Sequence, residues 1–237
     1  MNAPVILVHP MWFDGHYWDP VIRLLPHNVR PLAVDLPGFG SAPGPFTASR
    51  AISAIRSAEK EIGDPAHLVG LSLGARVALA AAAADSTRVR SLVLLGIGGD
   101  VSLVGTFFQR VVLRFAGRGV AQRMGGQTMP EPNRQAVAAQ RDMPLTANAQ
   151  LVKVPTLVVE GGADAEFRDS CRRAAELIDD SRLVVVPDAE HMWPRERPRE
   201  FVDLLLDLYT VKMLLDAKSL DYEFVPHGRG MRFVVRL

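Results

Sequence analysis

Short apolar runs, rich in β-branched residues, alternate along this chain with longer stretches of helical character. The runs are almost continuously apolar, as is typical of strands that are buried on both faces of a sheet. Strands that alternate with helices favour a mostly parallel sheet covered by helices, which is the α/β class. The predicted strands are Val5–Val8, Arg30–Val34, Ala66–Val69, Ser91–Leu95, Thr156–Glu160 and Arg182–Val186.

The helical stretches fall between these strands, and one interval interrupts the alternation. The predicted helices are Tyr17–Leu25, Ser49–Ile62, Leu73–Ala84, Arg168–Ile178 and Arg199–Leu215. Residues 101–150 contain no convincing strand and form too long a span for an ordinary connection. We expect a small helical insertion, or lid, over the sheet there; the alternative is a plain crossover helix with its loops.

Composition and charge limit the partners to expect. The 237 residues suit one domain with a single large core. The 27 basic and 26 acidic side chains nearly cancel, which gives no support to a nucleic-acid or membrane-surface partner. One cysteine, Cys171, cannot form an internal disulfide, and the first residues do not resemble a signal or a membrane span. We therefore expect a cytoplasmic protein, and the sequence does not indicate its oligomeric state.

The motif that most directly points to chemistry is Gly70-Leu71-Ser72-Leu73-Gly74. It matches the pattern G-x-S-x-G, follows an apolar strand and opens a helix, which is the context of a nucleophile elbow. The turn is so tight that side chains at positions 70 and 74 would collide with neighbouring backbone. The pattern therefore predicts that Ser72 is lifted out of the sheet above a helix N-terminus, where negative charge is favoured.

With these motifs the chain resembles the α/β-hydrolase superfamily over nearly its whole length. Four further segments carry the resemblance: an oxyanion turn, a glycine-rich loop, a strand that ends in the catalytic acid and a late histidine loop. They are, in order, Val5-Ile-Leu-Val-His9, Asp35-Leu-Pro-Gly-Phe-Gly-Ser41, Pro155 to Asp164, and His191-Met-Trp-Pro. The resemblance implies the chain order Ser72, Asp164, His191 for a catalytic triad.

Several histidines and two aspartates are candidates for the catalytic base and the acid that orients it. A serine hydroxyl needs a base to remove its proton, and the imidazole needs an acceptor on its other nitrogen. Of the six histidines, His191 alone follows the last predicted strand of the sheet in a loop. Asp164 follows an apolar strand and a Gly-Gly turn, whereas Asp100 follows the preceding strand through Gly96-Ile-Gly-Gly. We favour Asp164 over Asp100.

The resemblance also implies two backbone N–H donors for the oxyanion. One is the N–H of Leu73, the residue after the nucleophile. The other is the N–H of Met11. This chain has His9-Pro10 where the family usually has His-Gly, but proline removes only the N–H at position 10. No His/Cys/Asp cluster has metal-ligand spacing and no dinucleotide fingerprint is present, so neither a metal nor a cofactor is expected.

These assignments predict a serine hydrolase that cleaves a small carboxylic ester, lactone or thioester through an acyl-enzyme. The rival activities of the same triad are C–C bond hydrolysis and acyl transfer to an acceptor other than water. Two further alternatives are a non-catalytic ligand-binding member and a halide-dependent oxidant-forming member. The expected partner is a small-molecule acyl substrate.

The C-terminal segment 221–237 predicts a β-hairpin. Met231, Phe233, Val235 and Leu237 alternate with Arg232, Val234 and Arg236, and Pro226 to Gly230 supply a turn. Family members usually begin with an antiparallel hairpin, whereas here the strand Val5–Val8 lies almost at the first residue. We therefore hypothesise a circular permutation that moved the hairpin to the C-terminus; the alternative is an unrelated extension.

Overall fold

Six parallel strands form the main sheet of the computed structural model. The model describes residues 3–100, 130–215, 221–227 and 230–236, and beyond residue 207 it describes the backbone alone. The strands are β1 (Ala3–Val8), β2 (Val29–Val34), β3 (Ala66–Leu71), β4 (Val89–Leu95), β5 (Thr156–Gly161) and β6 (Ser181–Val186). Their order is β2-β1-β3-β4-β5-β6, and all five pairings are parallel, so the predicted α/β sheet is confirmed.

The strands read as continuous apolar runs because both faces of the sheet are covered. Successive residues of β1 belong to different cores: Ile6 and Val8 pack in one cluster, and Val5 and Leu7 in the other. All four are fully buried. A strand with two buried faces has no polar side to alternate with, which explains the pattern seen in the sequence.

Four of the five predicted helices lie close to their predicted bounds, and the described residues contain eight α-helices in all. They are α1 (Asp19–Ile22), α2 (Ala48–Ile62), α3 (Leu73–Ala84), α4 (Glu131–Ala139), α5 (Leu145–Leu151), α6 (Arg168–Leu177), α7 (Trp193–Glu196) and α8 (Pro198–Leu215). The predicted helix Tyr17–Leu25 is instead a 3-10 turn, Gly15–Trp18, followed by the short α1. Pro26 disfavours helical backbone at Leu25, which limits the length of this helix.

Of the span 101–150, the structure describes residues 130–150. Residues 131–151 form α4, a 3-10 turn (Gln140–Asp142) and α5. Ala149, on α5, is fully buried in the same core cluster as Ala78 and Leu79 of α3, so this portion packs as a crossover helix on the sheet. Residues 101–129 lie outside the described residues, and the lid stays a prediction.

Within residues 221–227 and 230–236, the C-terminal strands pair with each other and not with the main sheet. Strands β7 (Asp221–His227) and β8 (Gly230–Arg236) form an antiparallel ladder with each other. They make a separate two-stranded sheet, whereas the permutation requires a ladder to the sheet that contains β1. The alternating sequence is sufficient to specify the local hairpin, and the expected docking of that hairpin is not observed.

An aromatic cluster packs α8 against the core that covers one face of the sheet, and a substitution in this cluster tests that packing. The ring of Phe201 is fully buried and lies 5.7 Å from Trp18 and 5.5 Å from Trp193, measured between ring centroids. We predict that Phe201→Ala lowers the free energy of unfolding by about 3–5 kcal/mol, because it removes a large buried side chain and leaves a cavity. Urea denaturation followed by circular dichroism measures the change.

Leu151→Ala is the control, since Leu151 is 59% exposed and its truncation should change stability by less than about 0.5 kcal/mol. Equal destabilisation by the two variants would contradict the packing described for Phe201.

Candidate active site

Ser72 occupies a strained turn between β3 and α3. Its backbone φ is 56° and ψ is −114°, a combination that non-glycine residues rarely adopt. The Ser72 N–H donates to the Leu95 carbonyl at 2.9 Å, and the Ser72 carbonyl accepts from the Arg76 N–H at 3.1 Å. Strain of this kind persists only where surrounding structure enforces it, and it is concentrated at functional sites.

Gly70 and Gly74 make the turn possible. A Cβ at Gly70 would lie 2.4 Å from the Gly74 carbonyl carbon and oxygen. A Cβ at Gly74 would lie 2.2 Å from the Val8 carbonyl oxygen and 2.7 Å from that of His9. Any side chain at either position would collide with backbone, so the first turn of α3 packs directly against the end of β1.

His191 and Asp164 form a hydrogen-bonded pair. Nδ1 of His191 lies 2.7 Å from Oδ2 of Asp164, and the Asp164 side chain is only 8% exposed. A carboxylate can only accept, so Nδ1–H donates and the neutral imidazole carries its free lone pair on Nε2. The pair therefore has the tautomer that a general base requires.

The ring of His191 is held on two further sides. Phe167 stacks on it with a centroid separation of 4.1 Å and an interplanar angle of 17°. Gly96, with a φ of 49°, lies so close that a Cβ there would be 2.8 Å from Cε1 of His191. Neither residue belongs to a sequence motif that assigns it this role. Their signal is positional, because Gly96 directly follows β4 and Phe167 ends the turn that contains Asp164.

Asp100, the alternative acid, is engaged elsewhere. Its carboxylate accepts hydrogen bonds from the backbone N–H groups of Leu145 and Thr146, the latter at 3.1 Å, and so caps the N-terminus of α5. Partial burial by itself would raise the pKa of Asp100, but the hydrogen bonds from Thr146 and Leu145 together outweigh it and lower that pKa. Of the two carboxylates, the structure brings Asp164 to the His191 ring.

His9 anchors the turn that contains Met11. Its Nε2 accepts from the Leu36 N–H at 3.0 Å, and its Nδ1–H donates to the Pro10 carbonyl at 2.8 Å. The two bonds define one neutral tautomer, and burial lowers the pKa of the imidazole, which opposes protonation. His9 thus ties the turn to the loop after β2 and is no candidate for a base.

The two predicted oxyanion donors lie at the same edge of the sheet. Leu73 is the first residue of α3, so its N–H belongs to the free N-terminal end of that helix. Met11 follows Pro10 in the turn after β1, whose end contacts Gly74. The close approach of Gly74 to Val8 and His9 therefore places both segments side by side.

Among the described residues, no group of three or more His, Cys, Asp or Glu side chains could hold a metal ion. In the same residues, no helix is long and apolar enough to cross a membrane. Cys171 is buried, and burial raises the pKa of its thiol to about 12.

Comparison with known proteins places this geometry in a family. The model of the alpha/beta hydrolase family matches residues 5–204. The chain belongs to this family. The C-terminal hairpin lies beyond the matched residues.

Individual alpha/beta hydrolases show how far the likeness extends. An AB hydrolase superfamily protein of Gibberella zeae is 27% identical over 229 residues, which are 85% of this chain and 78% of the relative. A pimeloyl-[acyl-carrier protein] methyl ester esterase of Neisseria meningitidis is 40% identical over 92 residues, which are 38% of this chain and 35% of that protein. The match thus spans about a third of that esterase.

Among solved structures, a thermophilic esterase from Thermogutta terrifontis superposes with a TM-score of 0.75. It is 24% identical and the match covers 89% of this chain and 90% of the esterase, so it shows the same fold.

The close approach of Gly96 to His191 provides a test of the site. We predict that Gly96→Ala lowers kcat by about tenfold or more, because the new methyl group displaces the imidazole, and displacements near 1 Å cost up to about a hundredfold. Steady-state kinetics on the best ester found for the wild type measure the loss.

Gly63→Ala is the matched control. Gly63 also has a positive φ, 81°, but a Cβ there would meet nothing within 4 Å. The Gly63→Ala variant should therefore have the same kind of backbone strain but keep the wild-type kcat. A Gly96→Ala enzyme as active as this control would contradict the close contact described between Gly96 and His191.

Proposed function

We propose that this alpha/beta hydrolase is a serine hydrolase that cleaves a small carboxylic ester, lactone or thioester through Ser72, His191 and Asp164. The observation that carries the proposal is the 2.7 Å hydrogen bond between His191 and Asp164, at the same sheet edge as the strained turn of Ser72. A base oriented by a carboxylate, at the same edge as a partly exposed serine, is the arrangement that acyl transfer needs.

In acylation, Nε2 of His191 takes the proton of Ser72 while Oγ attacks the acyl carbonyl carbon. The carbonyl oxygen becomes an oxyanion, which the N–H groups of Leu73 and Met11 stabilise by hydrogen bonds. The tetrahedral intermediate then collapses: the bond to the leaving group breaks, and the leaving alcohol or thiol takes the proton from the imidazolium. Ser72 is left as an acyl ester.

Deacylation repeats these steps with water. His191 removes a proton from water, the hydroxide oxygen bonds to the acyl carbon, and the bond to Oγ breaks. The proton returns to Oγ of Ser72, and the carboxylic acid is released. Asp164 stays ionised throughout, because its task is to hold Nδ1–H and to stabilise the imidazolium.

The substrate class rests on the chemistry of the pair and on one relative. A neutral imidazole base and two N–H donors suit any acyl carbon with an adequate leaving group. The Neisseria relative is named as a methyl ester esterase, which supports carboxylic esters as the first class to test. Thioesters, lactones, C–C bond substrates and alternative acyl acceptors belong in the same substrate panel, since each would use the same three residues.

Labelling by a fluorophosphonate probe tests the nucleophile. We predict that the wild type forms a covalent adduct and hydrolyses at least one p-nitrophenyl ester of the panel. We also predict that Ser72→Ala loses labelling and nearly all turnover while its circular dichroism spectrum is unchanged. Loss of a triad residue commonly costs several orders of magnitude in rate.

Labelling that survives in Ser72→Ala would remove Ser72 as the nucleophile. A wild type that neither labels nor turns over any substrate would favour the non-catalytic alternative.

A matched pair of amide substitutions tests the acid. We predict that Asp164→Asn lowers kcat by about 10⁴-fold, because an amide can stabilise the wrong tautomer of His191. Asp100→Asn should retain kcat within about tenfold, since its carboxylate contacts α5, and it should lose only about 1 kcal/mol of stability as a weakened helix cap.

Steady-state kinetics and urea denaturation on both variants give the comparison. The reverse order of kcat would assign the acid to Asp100.

A further inference from the structure

Arg76 is a buried cation on the nucleophile helix. It lies one helical turn after Ser72 and is 2% exposed, with the buried apolar residues Ala75 and Val77 on either side of it in sequence. Burying a guanidinium is costly unless its donors are satisfied. A position of this kind is ordinarily filled by an apolar side chain, so the charge requires an explanation.

The guanidinium donates to three backbone carbonyls. Nη1 donates to Met143 at 2.9 Å, Nη2 donates to Gly98 at 2.6 Å, and Nη2 also contacts the carbonyl of Gly99. Gly98 and Gly99 belong to the segment Gly96–Asp100 that follows β4, here called the post-β4 loop. Met143 lies between the 3-10 turn and α5, so one side chain joins the nucleophile helix to two other segments.

Other contacts hold the same loop at its remaining positions. The Gly96 N–H donates to the Val159 carbonyl at 3.1 Å, and the Ser170 hydroxyl on α6 donates to the Ile97 carbonyl at 2.7 Å. At the far end, the Asp100 carboxylate caps α5. Arg76 provides the ties in the middle of the loop.

The post-β4 loop in turn lies against the His191 ring. Gly96 contacts the ring directly, with Cε1 2.8 Å from the position of a Cβ. A Cβ built on Gly98 would lie 3.4 Å from Nη2 of Arg76 and 3.6 Å from Cε1 of Phe167. Phe167 stacks on His191. Arg76 therefore bonds to the loop, Gly98 lies close to Phe167, and both Gly96 and Phe167 lie against the His191 ring.

We propose that Arg76 is a positioning residue for the hydrolysis proposed above: its guanidinium fixes the post-β4 loop so that Gly96 and Phe167 hold the His191 ring in its reactive orientation. The inference rests on the proposed function for its catalytic consequence, but the positioning itself concerns only the ring. The planar fork of arginine reaches several carbonyls at once, whereas the single ammonium of lysine reaches fewer.

Three variants and one matched control test the proposal. Arg76→Met keeps most of the stem and removes the donors, and Arg76→Lys keeps the charge. Ser170→Ala removes the hydroxyl that bonds to the carbonyls of Ile97 and Phe167. The control is Arg88→Met: Arg88 also donates to two carbonyls, those of Glu59 at 3.0 Å and Gly63 at 2.8 Å, but it lies just before β4, at the opposite edge of the sheet.

Kinetics provide the first readout. We expect kcat of Arg76→Met to fall by about 10- to 100-fold with KM within about threefold, as misplacement of a catalytic group predicts. Arg76→Lys should recover part of kcat, Ser170→Ala should lose less than Arg76→Met, and Arg88→Met should keep the wild-type value. Circular dichroism and thermal melting report whether each variant is folded.

Proton NMR provides a readout that needs no turnover. The Nδ1–H proton shared with Asp164 should give a low-field resonance in the wild type, assigned by its loss in His191→Ala. We expect this resonance to broaden or shift in Arg76→Met, less so in Arg76→Lys, and to be unchanged in Arg88→Met.

The outcomes separate the two proposals. A wild type without labelling or turnover overturns the proposed function, and the NMR comparison still decides the positioning of the ring. A folded Arg76→Met with wild-type kcat and an unchanged resonance overturns the positioning role. If Arg76→Met does not fold, Arg76→Lys decides: a folded Arg76→Lys with a reduced kcat and a perturbed resonance supports the role, and wild-type values of both overturn it.

Discussion

Backbone contact between the first turn of α3 and the end of β1 is the constraint on which the site depends. Gly74 lies against the carbonyls of Val8 and His9, and Gly70 lies against Gly74, so neither position has room for a side chain. Ser72 has its strained conformation between these two glycines, and the close approach sets the turn of Met11 beside the start of α3. The cost of the strain is met by packing elsewhere, above all by the two cores that cover the sheet.

The parallel sheet brings distant parts of the chain to one edge. The ends of β1, β3, β4 and β5 lead directly to Met11, Ser72, Gly96 and Asp164, and His191 follows β6 by a short loop. Open α/β sheets build their sites at this carboxyl edge because all parallel strands end there. The residues of the proposed triad are thus far apart in sequence, yet each lies only a short loop away from the end of a strand at this edge.

The sequence predicted the features that depend on local patterns, and it could not predict those that depend on contacts between distant parts of the chain. The six strands could be predicted because burial on both faces leaves a continuous apolar run, and the elbow because its glycines are obligatory. Asp164 and Asp100 each follow a strand and a glycine turn, so only the contacts of the folded chain distinguish them. Similarly, alternation specified the pairing of β7 with β8 but carried no information on where that hairpin docks.

The buried cysteine has a consequence for covalent chemistry on this molecule. Thiolates, not thiols, react with electrophiles and oxidants, and the pKa of Cys171 near 12 leaves almost no thiolate at neutral pH. Its side chain is also shielded from solvent behind β5. Alkylating reagents should therefore bypass the Cys171 thiol in the folded state, and alkylation of this thiol becomes a sensitive signal of unfolding.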